Sequence, residues 1–150
     1  MKSDKILITG GAGFIGSNLA HQLIGQGHTI TIFDNMSRSG CQQNIDWLRE
    51  AHGADSFRLL SADLSDFESL KKATDGADRV YHFAGQVAVT TSVKDPRHDF
   101  MSNALGTFNA LEAARSVGND PGFIYSSSNK VYGGMEHIEI EESNERYRYA

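Results

Sequence analysis

Apolar and polar positions follow two periods along the chain, and each period predicts one kind of element. Short runs of apolar and β-branched residues are typical of buried strands, and they occupy residues 5–9, 29–33, 56–61, 79–83 and 123–126. Between these runs apolar residues recur at helical spacing, as in Ile15, Leu19 and Leu23. This second pattern predicts helices over residues 14–26, 44–52, 66–74 and 96–117.

Strands that alternate with helices predict an α/β fold, in which helices cover both faces of a parallel sheet. Right-handed crossovers then favour a doubly wound sheet with the strand order 3-2-1-4-5. Ligands of such sheets bind beyond the carboxyl ends of the strands, near the switch between the first and fourth strands. We therefore expect the functional residues directly after each predicted strand.

A glycine-rich segment, GGAGFIG, follows the first predicted strand and opens the first predicted helix. Gly10 permits a tight turn, Gly13 lets the backbone approach a pyrophosphate, and Gly16 lets the helix pack closely on the strand. The free N–H groups at the start of that helix favour a phosphate. A flexible turn would explain three glycines by themselves, but the flanking strand and helix favour a phosphate-binding loop.

Carboxylates end the second and third predicted strands. Asp34 stands eighteen residues after Gly16, where it can accept both ribose hydroxyls of adenosine and repel a 2′-phosphate, which favours NAD over NADP. Arg38 argues the other way, since a nearby arginine can receive that phosphate. Asp63 either accepts from the adenine amino group, with Leu64 packed on the ring, or caps the following helix.

The fourth predicted strand and the longest helix supply further candidates. The small residues Ala84–Gly85 let the backbone pass close to the middle of a dinucleotide. His82 lies inside an apolar strand, which indicates a core histidine with hydrogen-bond partners rather than a catalytic one. Asn103 lies on the longest helix, where Leu105 and Phe108 are expected to flank the core. Asn103 either anchors the loops after the fourth and fifth strands or solvates a helix face.

Composition narrows the class of protein. The chain has 150 residues, 39% of them apolar, a net charge of −5 with interspersed charges, and a single cysteine, Cys41. This predicts one domain in a reducing cytoplasm, with no nucleic-acid partner. No apolar run or signal-peptide pattern indicates a membrane, and the scattered histidines predict no metal site.

Several motifs together resemble one family. The chain contains, in order, TGGAGFIGSNL, FDN, ADL, HFAGQ, NALGTFNALEAAR and YSSSNKVYG. This series resembles the extended short-chain dehydrogenases/reductases, the NAD-dependent epimerase/dehydratase family of nucleotide-sugar enzymes, over nearly all of residues 5–133. The segments DNMSRSGCQQNIDWL, AGQVAVTTSVKDPRHDFMSN and SSSNKVYG are similar to a narrower group, epimerases of CDP-sugars. The resemblance implies a Rossmann-type fold, NAD as the cofactor and a nucleotide sugar as the substrate.

The resemblance also implies roles for individual residues. Ser128 falls where the family has its catalytic Ser or Thr, whose hydroxyl hydrogen-bonds the sugar oxygen that loses or gains a proton. Substrate candidates lie in the predicted loop nearest the sugar, or else bond within that loop, namely Thr90, Thr91 and Ser92. The expected NAD-binding residues, with Asn103 added, are Gly10, Gly13, Phe14, Ile15, Gly16, Asp34, Asn35, Ser37, Arg38, Asp63, Leu64, Phe83, Ala84, Gly85, Gln86 and Asn103.

Two further features concern the reaction. Dehydratases of the family carry Asp-Glu directly after the catalytic Thr, where this chain has Asn129 and Lys130, so the resemblance favours epimerisation. The family's Tyr with Lys four residues later does not occur in the chain. We therefore expect the chain to be the NAD-binding, N-terminal portion of a longer enzyme. The catalytic Tyr and Lys, the last strands of the sheet and the sugar-binding lobe would follow Ala150.

For the chain by itself we expect NAD binding with little or no turnover. Its far sheet edge is expected to expose apolar surface, which favours association into a homo-oligomer. Two alternatives stay open: another NAD-dependent nucleotide-sugar epimerase or reductase, and a non-catalytic dinucleotide-binding module. The absent Tyr and Lys favour the module, whereas a module would not need Ser128.

Overall fold

A computed structural model describes residues 3–150, except for the side chain of Asn129. Strand and helix alternate first, as β1 (Lys5–Thr9), α1 (Phe14–Gly25), β2 (Thr29–Asp34), α2 (Cys41–His52), β3 (Phe57–Ser61), α3 (Phe67–Thr74) and β4 (Arg79–His82). A helical region follows, with α4 (Val89–Lys94), α5 (Pro96–Phe100), a π-helical turn (Met101–Leu105) and α6 (Gly106–Ser116). Next come β5 (Gly122–Tyr125), a 3₁₀ turn (Asn129–Tyr132), β6 (Ile140–Glu142) and β7 (Tyr147–Tyr149).

The five longer strands form one parallel sheet with the order β3-β2-β1-β4-β5. The central strand β1 pairs Ile6 with Ile30 of β2 on one side and Leu7 with Val80 of β4 on the other. This order and the flanking helices confirm the doubly wound α/β fold that the sequence predicts. The carboxyl ends of β1 and β4 therefore lie side by side at the switch point, where such folds bind ligands.

Two apolar clusters hold the helices on opposite faces of this sheet. Alternate residues of β1 point to opposite faces, so Ile8 joins the cluster that α1 and α2 cover, while Leu7 joins the cluster that α3 and α6 cover. Both side chains are almost fully buried. Burying a side chain of this size contributes about 1.5–3 kcal/mol, so the double burial of β1 anchors the sheet.

The face that α6 buries consists of small residues, and this corrects one expectation. Gly106, Ala110 and Ala113 are buried, and a Cβ on Gly106 would come within 2.8 Å of Leu64 Cδ1. Small side chains let α6 approach α3 and the sheet closely, so the large side chains of α6 point away. The expectation that Phe108 flanks the core is therefore wrong, since Phe108 is 61% exposed.

Helix starts agree with the local sequence. Asp66 precedes α3 and accepts a hydrogen bond from the Ser69 N–H at 3.1 Å, which caps the helix. Pro96 opens α5, where its missing N–H costs no hydrogen bond. The longest predicted helix is present but is interrupted by the π-helical turn, which the apolar pattern did not indicate.

Two elements lie where the sequence predicts a loop or no regular structure. The segment after β4 contains α4, a helix of six residues whose side chains are all at least partly exposed. The antiparallel pair β6–β7 follows the 3₁₀ turn and is exposed along both strands. Neither element buries an apolar face. Their sequences therefore lack the apolar periodicity from which strands and helices are predicted.

Candidate functional site

The carboxyl ends of the five parallel strands border one pocket of about 680 Å³. One residue from each strand end shows this arrangement: Gly10, Asp34, Ala62, Phe83 and Ser126 all line the pocket. The five residues are far apart in sequence and are brought together only by the sheet. This is the place where the topology of the sheet predicts a ligand.

The glycine-rich loop after β1 is shaped by close packing. Gly10 has φ +69°, and a Cβ there would lie 2.6 Å from the Ala84 backbone nitrogen. A Cβ on Gly16 would lie 2.6 Å from Gly11 Cα, so α1 could not approach the loop. At Gly13, by contrast, a Cβ would meet only the Gly10 carbonyl oxygen, at 3.2 Å. The loop is thus closed towards the protein and accessible from the pocket.

The first turn of α1 faces the same pocket. Gly13 is the N-cap, and Phe14, Ile15 and Gly16 line the pocket. Phe14 is 80% exposed and Ile15 is 62% exposed, so neither contributes to the core as the helical spacing of Ile15 suggested. The free N–H groups at this helix start point to the site together with the positive end of the helix dipole.

Asp34, at the end of β2, joins the glycine-rich loop to the pocket wall. One carboxylate oxygen accepts from the Ala12 N–H at 3.1 Å, and the other accepts from the Met36 N–H at 2.9 Å. A carboxylate offers about four lone-pair sites, so further acceptor capacity remains on the pocket side. Asn35, Ser37 and Arg38 also line the pocket.

Asp63, after β3, is held in place by three hydrogen bonds. It accepts from the Ser65 N–H at 2.9 Å, from Asn35 Nδ2 at 2.7 Å and from the Ser65 hydroxyl at 2.7 Å. These bonds, led by the Ser65 backbone N–H, hold the pKa of the Asp63 carboxyl below its usual range. Asp63 and Leu64 line the pocket, and α3 is capped by Asp66, so the helix-capping alternative for Asp63 is wrong.

The segment after β4 forms the next wall of the pocket. Phe83, Ala84, Gly85 and Gln86 all line it, as expected for residues that follow a central strand. Asn103 lies behind this wall, where its side chain hydrogen-bonds the Gln86 backbone. Of the two roles that the sequence left open for Asn103, the structure places it as an anchor of the loop after β4.

Two of the three serines after β5 line the pocket, and the third does not. Ser126 and Ser127 line the pocket. Ser128 is exposed, and its hydroxyl accepts the Lys130 N–H at 3.2 Å, which caps the 3₁₀ turn. The contrast between Asn129 and the acidic pair of dehydratases is drawn from the sequence, because the Asn129 side chain lies outside the described part of the chain.

The three substrate candidates Thr90, Thr91 and Ser92 lie on α4 rather than in a loop, which corrects their expected setting. Thr91 lines the pocket. The Ser92 hydroxyl donates to the Val89 carbonyl oxygen at 2.7 Å, so it bonds within its own helix. The polar side chains that a loop would present together are therefore spread around a helix.

His82 is a core histidine, as the sequence indicated. It is fully buried, with Nδ1 at 2.7 Å from Thr9 Oγ1 and Nε2 at 3.2 Å from Thr107 Oγ1. Burial lowers the pKa of His82 to about 4, so the imidazole is neutral at pH 7. His82 does not line the pocket described above.

Sequence reasoning missed several pocket residues because no strand end marks them. His98 and Ser102 come from the α5 region, and Val87 and Ala88 come from the segment before α4. Cys41 also borders the pocket, and burial, the largest cause, raises the pKa of its thiol. The helical phase of residues 96–117 could have suggested His98 and Ser102 as a pair, because they lie four residues apart and therefore one helical turn from each other.

Within residues 3–150, no helix combines the length and the apolar character needed to cross a membrane. In the same part of the chain, His, Cys, Asp and Glu side chains do not gather in groups of three or more that could hold a metal ion.

Comparison with known proteins identifies a matching family and several similar proteins. Residues 7–148 match the family model described as GDP-mannose 4,6 dehydratase. The chain is 41% identical over 145 residues to CDP-paratose 2-epimerase of Salmonella typhi, covering 95% of this chain and 42% of that protein. It is 37% identical over 145 residues to UDP-glucose 4-epimerase of Pisum sativum, covering 93% of this chain and 41% of that protein.

A solved structure shows the same fold. UDP-glucose 4-epimerase of Stenotrophomonas maltophila, with bound NAD and formylated UDP-arabinopyranose, matches with a TM-score of 0.78 and 30% identity. The match covers 89% of this chain and 40% of that one. The chain thus spans about two fifths of the length of the relatives it matches.

A parallel β3-β2-β1-β4-β5 sheet with a glycine-rich loop after its first strand and an acidic residue at the end of its second strand defines a Rossmann-type fold. With the family match, the assignment becomes narrower. The chain belongs to the GDP-mannose 4,6-dehydratase family, whose members include NAD-dependent nucleotide-sugar epimerases and dehydratases.

Proposed function

We propose that this chain is the NAD-binding portion of a nucleotide-sugar epimerase that acts on a CDP-sugar. One observation carries the proposal: the glycine-rich loop, Asp34, Asp63, Ser126 and Ser127 border a single pocket at the carboxyl ends of the strands. The relative at 41% identity, CDP-paratose 2-epimerase, supports the sugar nucleotide. The solved epimerase with bound NAD supports the cofactor.

The residues present fit a dinucleotide. Side chains at Gly10 and Gly16 would collide with the backbone, whereas Gly13 leaves the pocket side of the loop accessible. The pocket of about 680 Å³ lies within the roughly 300–1,000 Å³ that ligand pockets occupy. The first turn of α1 would hold the pyrophosphate through the free N–H groups of Phe14, Ile15 and Gly16, because the Gly13 N–H already donates to the Gly10 carbonyl oxygen.

The two carboxylates would hold the adenosine half. Asp34 keeps lone pairs beyond its bonds to Ala12 and Met36, and these would accept the ribose hydroxyls. Asp63, fixed as the carboxylate by Ser65 and Asn35, would accept from the adenine amino group. The negative charge of Asp34 would repel a 2′-phosphate, which favours NAD over NADP.

Bound NAD supplies the hydride acceptor and donor of an epimerisation. The Ser128 hydroxyl would orient the sugar oxygen. Its oxygen already accepts the Lys130 N–H, so its own proton remains to be donated to a substrate oxygen. At the two positions after Ser128 the chain has Asn129 and Lys130, whereas dehydratases have Asp and Glu. This difference supports epimerisation over loss of water.

The cofactor part of the proposal is tested by calorimetric titration of the chain with NAD⁺ and, separately, with NADP⁺. We expect NAD⁺ to bind more tightly than NADP⁺. Asp34→Asn should weaken NAD⁺ binding about tenfold, because it removes a charge-assisted acceptor, and should narrow the difference from NADP⁺. Asp55→Asn removes an exposed carboxylate elsewhere and serves as the control. Equal binding of both cofactors by the wild-type chain would contradict the role of Asp34.

The catalytic part is tested with CDP-paratose as the substrate. The 150 residues contain no Tyr with a Lys four positions later, so we expect little or no epimerisation by this chain alone. Substantial turnover would show that the chain carries its own general base.

The absence of that Tyr-Lys pair also favours a second candidate, a non-catalytic dinucleotide-binding module. Reading the coding DNA past Ala150 separates the two candidates. A continuing frame that encodes a Tyr with Lys four residues later supports the epimerase. A stop codon directly after Ala150 supports the module.

A further inference from the structure

The segment Gly85–Ala88, here called the wall segment, leaves the sheet after β4 and lines the pocket. A single side chain from another part of the chain holds its backbone. Asn103 Oδ1 accepts the Gln86 N–H at 2.8 Å, and Asn103 Nδ2 donates to the Gln86 carbonyl oxygen at 3.0 Å. The side-chain amide of Asn103 therefore binds both polar groups of one peptide residue, as a neighbouring strand would.

The side chain of Gln86 continues this arrangement. Its Oε1 accepts the Ala88 N–H, and its Nε2 donates to the Ala88 carbonyl oxygen at 2.9 Å. The same Nε2 also donates to Asp99 Oδ1 at 2.9 Å. Asp99 Oδ1 accepts a second hydrogen bond, from Asn103 Nδ2 at 3.1 Å. One carboxylate oxygen thus joins the two amides.

A count of donors shows what Asp99 contributes. A primary amide has two N–H donors, and the four donors of Gln86 and Asn103 go to the Ala88 carbonyl, the Gln86 carbonyl and, twice, to Asp99. Neither amide keeps a donor for a ligand. Their role is therefore to fix the wall segment, and Asp99 supplies the acceptor that completes both amides.

The geometry leaves little freedom around this network. Asp99 lies on α5 and Asn103 lies one turn later in the π-helical turn, so one helical stretch presents both groups to the wall segment. A Cβ on Gly85 would come within 2.9 Å of Asn103 Oδ1. A side chain at this position would therefore push the Asn103 amide away from the wall segment. Asp99 itself is only half-buried and does not line the pocket.

We propose that Asp99 is a positioning residue that acts through Asn103 and Gln86 to set the wall segment against the half of the dinucleotide that extends past the glycine-rich loop. The proposal rests on the proposed NAD site and adds a residue to it. The adenosine half would lie against Asp34 and Asp63, at the ends of other strands. A loss of Asp99 should therefore act on one half of the cofactor and leave the other half unaffected.

The test compares Asp99→Ala with Asp99→Asn, which remove the same charge while only Asn keeps an oxygen acceptor. Each variant is titrated calorimetrically with NAD⁺ and with ADP, which lacks the nicotinamide half. We expect Asp99→Ala to weaken NAD⁺ binding about tenfold while ADP binding stays within about twofold. We expect Asp99→Asn to restore NAD⁺ binding to within about threefold of the wild type. Equal losses for NAD⁺ and ADP, no loss for NAD⁺, or no rescue by Asn would overturn the proposal.

A second measurement does not depend on NAD. Amide hydrogen exchange followed by NMR reports the Gln86 and Ala88 N–H groups, with the Val80 N–H in β4 as the internal control. In Asp99→Ala we expect exchange at Gln86 and Ala88 to speed up at least about tenfold, without change at Val80. Unchanged exchange at Gln86 would refute the positioning role. If the wild-type chain fails to bind NAD⁺, the proposed function fails, while this exchange result still decides the role of Asp99.

Discussion

Gly10 and Gly27 show how one residue type serves two purposes. Both have positive φ, +69° and +85°, yet a Cβ on Gly27 would meet nothing within 4 Å, whereas a Cβ on Gly10 would press on the Ala84 backbone. Gly27→Ala should therefore cost only the strain of the left-handed conformation, about 1 kcal/mol. Gly10→Ala adds a collision with backbone, so it should cost about 2 kcal/mol more.

Urea unfolding of both variants measures this difference, because Gly27→Ala carries the backbone strain without the collision. Equal losses would mean that the close approach of Ala84 does not select glycine at position 10. A larger loss for Gly10→Ala would show that contact between the loop and the segment after β4 is part of the stability of the site.

At the scale of the elements, His82 connects three of them, β4, β1 and α6. It lies on β4, and its ring nitrogens face Thr9 of β1 and Thr107 of α6. Since burial lowers its pKa from 6.5 to about 4, the folded chain binds the His82 proton less readily than the unfolded chain does. Stability is therefore lost as the pH falls from 6.5 towards 4 and is retained above 6.5.

Between pH 6.5 and 4.5 we expect His82 to contribute a loss of about 2 kcal/mol in the free energy of unfolding. Urea unfolding at half-unit pH steps measures this slope. His82→Gln removes the titrating group and should flatten the slope by that amount. His137→Gln replaces an exposed histidine and should leave the slope unchanged. An identical slope in the wild type and His82→Gln would contradict the assignment.

The strands were predictable because each leaves a local apolar pattern, and the strand order followed from the handedness of crossovers. The buried face of α6 was not predictable from the same rule. Its buried positions carry Gly106, Ala110 and Ala113, whereas large apolar residues such as Phe108 point outward. In α6, therefore, the periodicity of large side chains does not mark the buried face.

Some residues of the candidate site could likewise be predicted from the sequence, whereas others could not. Gly10, Asp34 and Asp63 lie at strand ends or just after them, and all three line the pocket. Asp99 carries no local signal, because its role depends on two amides that lie thirteen and four residues away and meet only in the fold. Residues that touch a ligand often stand in motifs, whereas residues that position them are found from three-dimensional contacts.

At the scale of the whole molecule, β5 is one of the two edge strands of the sheet, and we expect it to influence association in solution. It pairs with β4, and its other side carries no strand partner among residues 3–150. Ile124 and Tyr125 are 44% and 57% exposed. An exposed apolar edge favours strand pairing between copies of the chain, so we expect association that increases with concentration.

Sedimentation velocity over a concentration series measures this association. Ile124→Lys places a charge on the edge strand and should shift the chain towards monomer. Ile140→Lys adds the same charge at an exposed apolar residue of β6 and should have a smaller effect. A wild-type chain that stays monomeric at all concentrations would show that the β5 edge does not drive association.

The strand order also governs how the chain folds during synthesis. The β2 strand follows β1 closely in the chain and is available to pair with it first, whereas the other edge of β1 needs β4, whose His82 lies 73 residues after Thr9. At about 5–20 residues per second, a ribosome needs about 4–15 s to cover that distance. During this interval the strand that is most deeply buried in the folded protein has one edge without a partner. We therefore expect the nascent chain to bind chaperones that recognise extended apolar segments until β4 leaves the exit tunnel.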